Sequence, residues 1–364
     1  MPQNMPDLSA LQMIIGFLLL LTPVVFIHEL GHYWAARRAG VFVEVFSIGF
    51  GPEIFGWTSK STGTRWRFAA IPLGGYVRMR GDDNAASAPR EGADRMKGSF
   101  AGASLTNRIL IVAAGPVVNF ILGILLYAGV YMTVGKSEIP AEINEVIPGA
   151  PAAVAGLLAG DLVTEIEGVS IRNFNDIARF VAESPERSLI FTVKRHGNIS
   201  EFTVTPKPRF IEEYQINIGF IGIKSKSKNF ERLLPGSAVV AGTSDAFYDA
   251  YMILRGLARL GKGQMQAGEV QGPIGIAKIS GSVMVQGVVP FILLTALISI
   301  NLGLINLLPI PALDGGHLAF FFYEAIAGRP LPLAAQAVLM RIGMTLLLTL
   351  MIVVTFFDLD RWFG

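Results

Sequence analysis

The chain has 364 residues, 52% of them hydrophobic and only 16% charged. An ordinary soluble domain is about a quarter charged, so this deficit points to membrane spans and excludes a disordered or fibrous chain. The formal charge of +2 excludes a polyelectrolyte built to hold nucleic acid, and the absence of cysteine excludes disulfides, thiolate catalysis and cysteine-held metals.

The first element, within residues 1–38, is an apolar stretch over 11–27 that continues helically through HELGH (28–32) and Trp34 to Arg38. It lacks the basic leader and the A-x-A-like end of a cleaved signal peptide. Residues 39–107 follow. Within them 41–80 alternate apolar and polar positions in VFVEVFSIGF and TRWRFAAIPLGGYVRM, with glycines between. This pattern predicts a small β-hairpin close to the membrane surface. The polar, small-residue stretch 82–98 predicts a loop.

A second apolar span is expected over 108–134. Residues 138–208 then read as a separate α+β domain, with strands in EINEVI, DLVTEIEGV, LIFTVKRHG and EFTVTPK. NFNDIARFVAES predicts a helix capped near Asn173 or Asn175, and Pro206 and Pro208 are expected to close the domain. His196, in the KRHG turn, reads as a solvated loop residue. The linker 209–287 contains helical periodicity over 243–260. That helix either lies on the outer membrane surface or packs on the soluble domain. The third span is expected over 288–308, within 288–317. The fourth lies within 331–364, narrowed to 342–357 because Arg341 interrupts the apolar run. Each candidate approaches the roughly 20 residues that cross about 30 Å of hydrocarbon.

Lys and Arg near the span ends set the orientation. None precedes the first span, whereas Arg37, Arg38, Arg78, Arg80, Arg90, Arg95, Lys97 and Arg108 follow it. The segment 37–108 is therefore expected inside the cell. The N-terminus, 135–287 and the C-terminus are then expected outside.

The first span carries His28-Glu29-Leu30-Gly31-His32, an HExxH motif. On a helix, residues i and i+4 share a face, so His28 and His32 can grip one metal ion. Neutral imidazoles suit zinc, and a catalytic zinc takes three protein ligands. Glu29 beside them is placed to take a proton from water and pass it to a leaving amine. Two histidines and a glutamate in an apolar span are costly and mark function. His28 lies roughly 25 Å along a helix starting near Leu11, so the site is expected inside the bilayer, nearer its cytoplasmic side. The third ligand should come from another span at the same depth. Asp314, at the end of the third span, is the expected third ligand by position, with His317 as its competitor because imidazole is also a good ligand. Pro309 and Pro311 break the helix there, which is tolerated only where backbone lines a cavity or packs on protein. Glu324 and Asp358 read as interfacial charges.

HELGH, AAGPVVNF (113–120), GPIGIAKISG (272–281) and NLLPIPALDGGH (306–317) together resemble the site-2 protease family of intramembrane zinc metalloproteases, in its bacterial regulator-of-sigma-E protease branch. The resemblance covers nearly the whole chain. It implies a polytopic α-helical membrane protein of four transmembrane helices, with a membrane-associated β-hairpin region. It also implies Zn2+ held by His28, His32 and Asp314, Glu29 as the catalytic glutamate, and Asn301 and Asn306 holding the substrate backbone. Without the resemblance, interhelical hydrogen bonding is the reading for both asparagines. The β-hairpin edge would pair with an unwound substrate, because a helix hides its scissile carbonyl.

Residues 138–208 resemble one inserted PDZ domain, on Gly156-Leu-Leu-Ala-Gly160-Asp161 and the IEGVSI that follows. Many members of the branch carry two. A PDZ domain implies capture of a C-terminal carboxylate, or a barrier that filters substrates by size. The resemblance thus implies an inner-membrane endopeptidase that cleaves single transmembrane segments. Its expected partners are anti-sigma factors already cut outside, remnant signal peptides and membrane lipid, with no nucleic acid. A metal transporter and an inactive PDZ-bearing scaffold are the alternatives. The first needs a path of ionisable residues, of which the spans offer almost none, and the second leaves Glu29 without a role.

Overall fold

The computed structural model describes residues 9–81, 96–137, 139–211, 216–225, 230–262 and 271–363. Helix α1 (Ala10–Arg38) leads into strands β1 (Val43–Thr58) and β2 (Arg65–Met79), followed by α2 (Leu105–Thr133). A run of short elements comes next: β3 (Lys136–Ser137), β4 (Glu145–Val146), α3 (Pro151–Val154), β5 (Leu162–Ile166), β6 (Val169–Ser170), α4 (Phe174–Ala182), β7 (Leu189–Arg195), β8 (Asn198–Val204), β9 (Lys207–Ile211), β10 (Ile216–Phe220), β11 (Ile223–Lys224) and β12 (Phe230–Glu231). Five helices follow: α5 (Pro235–Gly261), α6 (Pro273–Gln286), α7 (Val288–Leu307), α8 (Asp314–Ala327) and α9 (Leu333–Phe363). Residues 82–95 of the expected loop lie outside the described residues.

Among the described residues, α1, α2, α7 and α9 over Leu333–Asp360 are long and apolar enough to cross a membrane. The fourth span differs from the sequence expectation. It runs unbroken through Arg341, which is exposed on the helix surface. A single cation leaves the backbone hydrogen-bond ladder intact, and its long side chain can reach polar surroundings.

The chain folds as two compact units. The larger takes in Met1–Val130, Pro235–Gln264 and Ile276–Thr355. Its helices approach closely at small residues, as membrane helices do without a hydrophobic driving force between them. Gly31 of α1 lies against the Ala114 backbone of α2, and Gly303 of α7 against Pro116 and Asn119. Strands β1 and β2 form an antiparallel pair that curls on itself. Val45 pairs with both Arg65 and Arg78, and Phe46 with both Trp66 and Val77. Val43, Phe46, Ile48, Val77 and Met79 bury one face against Tyr33, Ile111 and Phe321, so the hairpin is fastened to α1, α2 and α8.

The helix expected over 243–260 is longer, and it packs along α2. Gly242 abuts the Ile124 carbonyl, and the Tyr127 hydroxyl donates to the buried Asp249 carboxylate over 2.5 Å. Glu324 is also more than an interfacial charge. Its carboxylate accepts two bonds from the Arg108 guanidinium, at 2.6 and 3.1 Å.

The smaller unit takes in Tyr131–Leu234, Met265–Gly275 and Phe356–Gly364. At its centre is a four-stranded antiparallel sheet in the order β6-β5-β7-β8. Val163, Ile166, Leu189, Phe191 and Val193 of the sheet are buried, as are Ile177, Phe180 and Val181 of α4. Asn173 caps α4 by accepting the Asp176 N–H. His196 and Gly197 form the two-residue β7–β8 turn, with φ of 49° and 88°, and His196 is exposed. Pro206 and Pro208 do not end the strand pairing. β11 returns to β4, and β12 to β3, because those short strands leave backbone groups that need partners. Asp358, expected at an interface, is instead buried and accepts the N–H groups of Gly272 and Gly275 at 3.1 and 2.9 Å.

In the Gly156–Asp161 turn, the buried Asp161 carboxylate accepts the Leu158 N–H. It also pairs with the Arg195 guanidinium at 2.6 and 2.7 Å. Burial opposes its charge, but the Arg195 and Leu158 hydrogen bonds outweigh that and hold the carboxyl below the ordinary carboxylate range. Arg195 also donates to the Gly156 carbonyl, so one side chain ties the turn to β7.

Candidate metal centre

Helical spacing brings His28 and His32 to one face of α1, where both are buried against α2. Their Nε2 atoms lie 3.3 Å apart. The third member arrives from the far end of the sequence. Helix α7 ends at Leu307, and Pro309 and Pro311 have no N–H to extend it. The chain turns back through Ala312, which adopts φ of 80°. Gly315 and Gly316 lie against the backbone of Leu307, Leu308, Ile310 and Pro311, where no Cβ fits. That turn sets Asp314 at the start of α8. Its Oδ2 stands 3.2 Å from His28 Nε2 and 3.5 Å from His32 Nε2.

The three donor atoms lie within 4.8 Å of one another. Asp314 Oδ2 is buried without a hydrogen bond. His32 Nδ1 contacts the Ile111 carbonyl at 2.9 Å, so Nδ1 carries a proton and, in the neutral ring that a metal requires, Nε2 is the nitrogen left with a lone pair. Lone pairs and a carboxylate in a buried cluster repel unless a cation lies among them. Two imidazoles and one carboxylate also form the donor set of a catalytic zinc with an open position. These residues therefore fit a metal ion.

Glu29 lies within electrostatic reach of all three donors. Its Cγ faces Gly75 of β2, where an added Cβ would stand 3.0 Å away, so the strand passes directly beside it. Asn301, one of the two expected asparagines, lies on α7 with its Oδ1 buried and unbonded. Asn306 is half-buried in the last turn of the same helix. His317 is not part of the donor cluster; its ring packs edge-on to Phe320.

The sequence matches peptidase family M50 over residues 16–350. The chain belongs to that family. It is 38% identical to a Rhizobium meliloti protein named as a zinc metalloprotease, over 96% of each chain. It is 37% identical to the metalloprotease MmpA of Caulobacter vibrioides, again over 96% of each. Over 25% of its length the chain is similar to a PDZ domain of an SdrC-like protein from Listeria innocua, at 20% identity and a TM-score of 0.22, covering 99% of that domain.

The M50 match spans the elements that bear His28, His32 and Asp314. In this M50 chain, sequence reading alone gave no role to Gly115 or Asn119, both on the inward side of α2. Gly115 lies against both imidazoles, and Asn119 lies 3.3 Å from His28 Nδ1. The only signal was AAGPVVNF itself, a polar residue and a glycine-proline pair inside an apolar span.

Proposed function

We propose that this M50 zinc metalloprotease hydrolyses peptide bonds within single-pass transmembrane segments. The observation that carries the reading is the burial of three converging donor atoms beside Glu29, among helices long enough to span a membrane. In this reading His28, His32 and Asp314 hold zinc. Zinc held there supplies the Lewis acidity that makes water nucleophilic near neutral pH. Glu29 takes the proton from the attacking water and hands it to the leaving amine.

The substrate backbone needs partners once its helix unwinds. Two features support such binding. Asn301 Oδ1 is a buried, unused acceptor. Among the described residues, Gly75–Val77 of β2 pairs with β1 alone, leaving the other edge of that stretch for an extended chain. Asn306 completes the proposed contact. The membrane is the bacterial inner membrane, with both termini and the inserted unit on the periplasmic side, as the Lys and Arg distribution supports. The inserted unit acts as a PDZ domain that captures a C-terminal carboxylate or filters substrates by size. The substrates are anti-sigma factors already trimmed outside, and remnant signal peptides.

The test is to incubate the purified chain, in detergent with zinc, with a transmembrane anti-sigma fragment. Cleavage by wild type and none by Glu29→Gln is the expected result. Equal cleavage by both overturns the role of Glu29. No cleavage by either, with zinc flux in liposomes, makes the chain a transporter. Asp314→Ala is expected to lower bound zinc, and unchanged stoichiometry removes Asp314 as a ligand.

A further inference from the structure

Asn119 is fully buried in α2, and its amide nitrogen lies 3.3 Å from His28 Nδ1. That is the ring nitrogen opposite Nε2, which faces Asp314 and His32. Asn119 is firmly seated. Ser299 Oγ donates to its backbone carbonyl over 2.8 Å, and a Cβ on Gly303 would stand 3.2 Å from its own Cβ. Its Oδ1 is buried with no hydrogen bond.

His28 ligates through Nε2 only if Nδ1 carries the ring proton. An N–H needs an acceptor, which an amide NH2 cannot be. A half-turn of the Asn119 amide exchanges Oδ1 and Nδ2 and sets the oxygen against His28 Nδ1–H. The unused acceptor then has its donor. His32 is served in the same way, since its Nδ1 lies 2.9 Å from the Ile111 carbonyl. One helix thus orients both imidazoles, one through its backbone and one through a side chain.

We infer that Asn119 is a positioning residue for the zinc site: its side-chain oxygen accepts the His28 Nδ1–H, holding the ring with Nε2 toward the metal. The inference rests on the proposed reading of His28 as a zinc ligand. Partners of this kind typically contribute 10–100-fold to metal affinity.

Zinc affinity of the full-length protein in detergent is the measurement, by competition with a chelator of known affinity. The variants are Asn119→Leu, Asn119→Asp and His28→Ala. Asn119→Leu removes the acceptor, and about 10–100-fold weaker zinc binding is expected. Asn119→Asp keeps an acceptor and is expected to bind zinc within about a few-fold of wild type. Both variants lose the amide NH2, so a purely structural effect would fall on both. Should Asn119→Leu not fold, Asn119→Ala takes its place. Wild-type affinity in the acceptor-free variant overturns the inference, as does equal weakening in Asn119→Asp. His28→Ala separates the two readings. If it loses zinc while Asn119→Leu does not, only the role of Asn119 falls. If it binds zinc like wild type, His28 is no ligand and both fall.

Discussion

Gly115 of α2 faces His32 of α1 so closely that a Cβ at position 115 would stand 2.6 Å from His32 Cε1. The same atom would stand 2.9 Å from His28 Cε1. The missing side chain is the space the two imidazoles occupy. Alanine is a better helix former than glycine by about 1 kcal/mol, so Gly115→Ala should leave α2 intact as a helix. It should also displace the rings. We expect zinc affinity to fall by at least about tenfold with unchanged helical content by circular dichroism. Full zinc affinity would show that the rings can yield without leaving the cluster.

Gly75 is the corresponding close approach between β2 and α1. A Cβ there would stand 2.8 Å from the Ser47 carbonyl oxygen and 3.0 Å from Glu29 Cγ. Gly75→Ala should push the strand away from α1 or turn Glu29 aside, without touching the donor atoms. The expected outcome is lower kcat in the transmembrane-fragment assay at unchanged zinc content. Loss of zinc in step with kcat would mean that the strand supports the histidines as well.

Arg195 neutralises Asp161 in the inserted unit, where Asp161 is 1% exposed. Arg195→Met leaves that carboxylate buried without its charge partner, a change that typically costs about 3–5 kcal/mol. Hydrogen exchange of the β5 and β7 amides in the whole chain reads the loss. The pH dependence has a definite sign. The folded carboxyl titrates below its unfolded value, so its contribution is complete above about pH 4 and fades as pH falls through the folded value. Wild-type protection should therefore drop in that acid window, and Arg195→Met should show a shallower drop. The same acid dependence in both proteins would assign the window to other carboxylates.

Much of the architecture was legible in the residues. The four spans follow from apolar runs of sufficient length, and the β1–β2 hairpin from alternation broken by glycines. The cap at Asn173 and the turn at His196-Gly197 follow from local side-chain chemistry. Where sequence reading went astray, a local signal met a distant partner. Arg341 looked like an interruption, yet a helix tolerates one exposed cation. Asp358 looked interfacial, yet it caps the chain at Gly272 and Gly275. Pro206 and Pro208 looked like an end, yet β11 and β12 return to strands laid down before the central sheet.

For the site itself, the division has a simple physical basis. The pairing of His28 with His32 is local, because four residues make about one helical turn and the chain itself holds both rings on one face. The sequence alone therefore determined that α1 presents two imidazoles with a glutamate beside them inside an apolar segment. By position it favoured Asp314 over His317 without excluding the histidine, since residues three apart along a turning chain cannot be separated firmly without knowing how the turn is made. Only the tertiary structure decided which of them reaches the imidazoles. The reversal at Ala312, packed onto Gly315 and Gly316, aims Asp314 at the two rings and leaves His317 against Phe320. The same packing brought Gly115 and Asn119 to those rings from another helix, a contact that depends on how helices cross and not on any spacing along the chain.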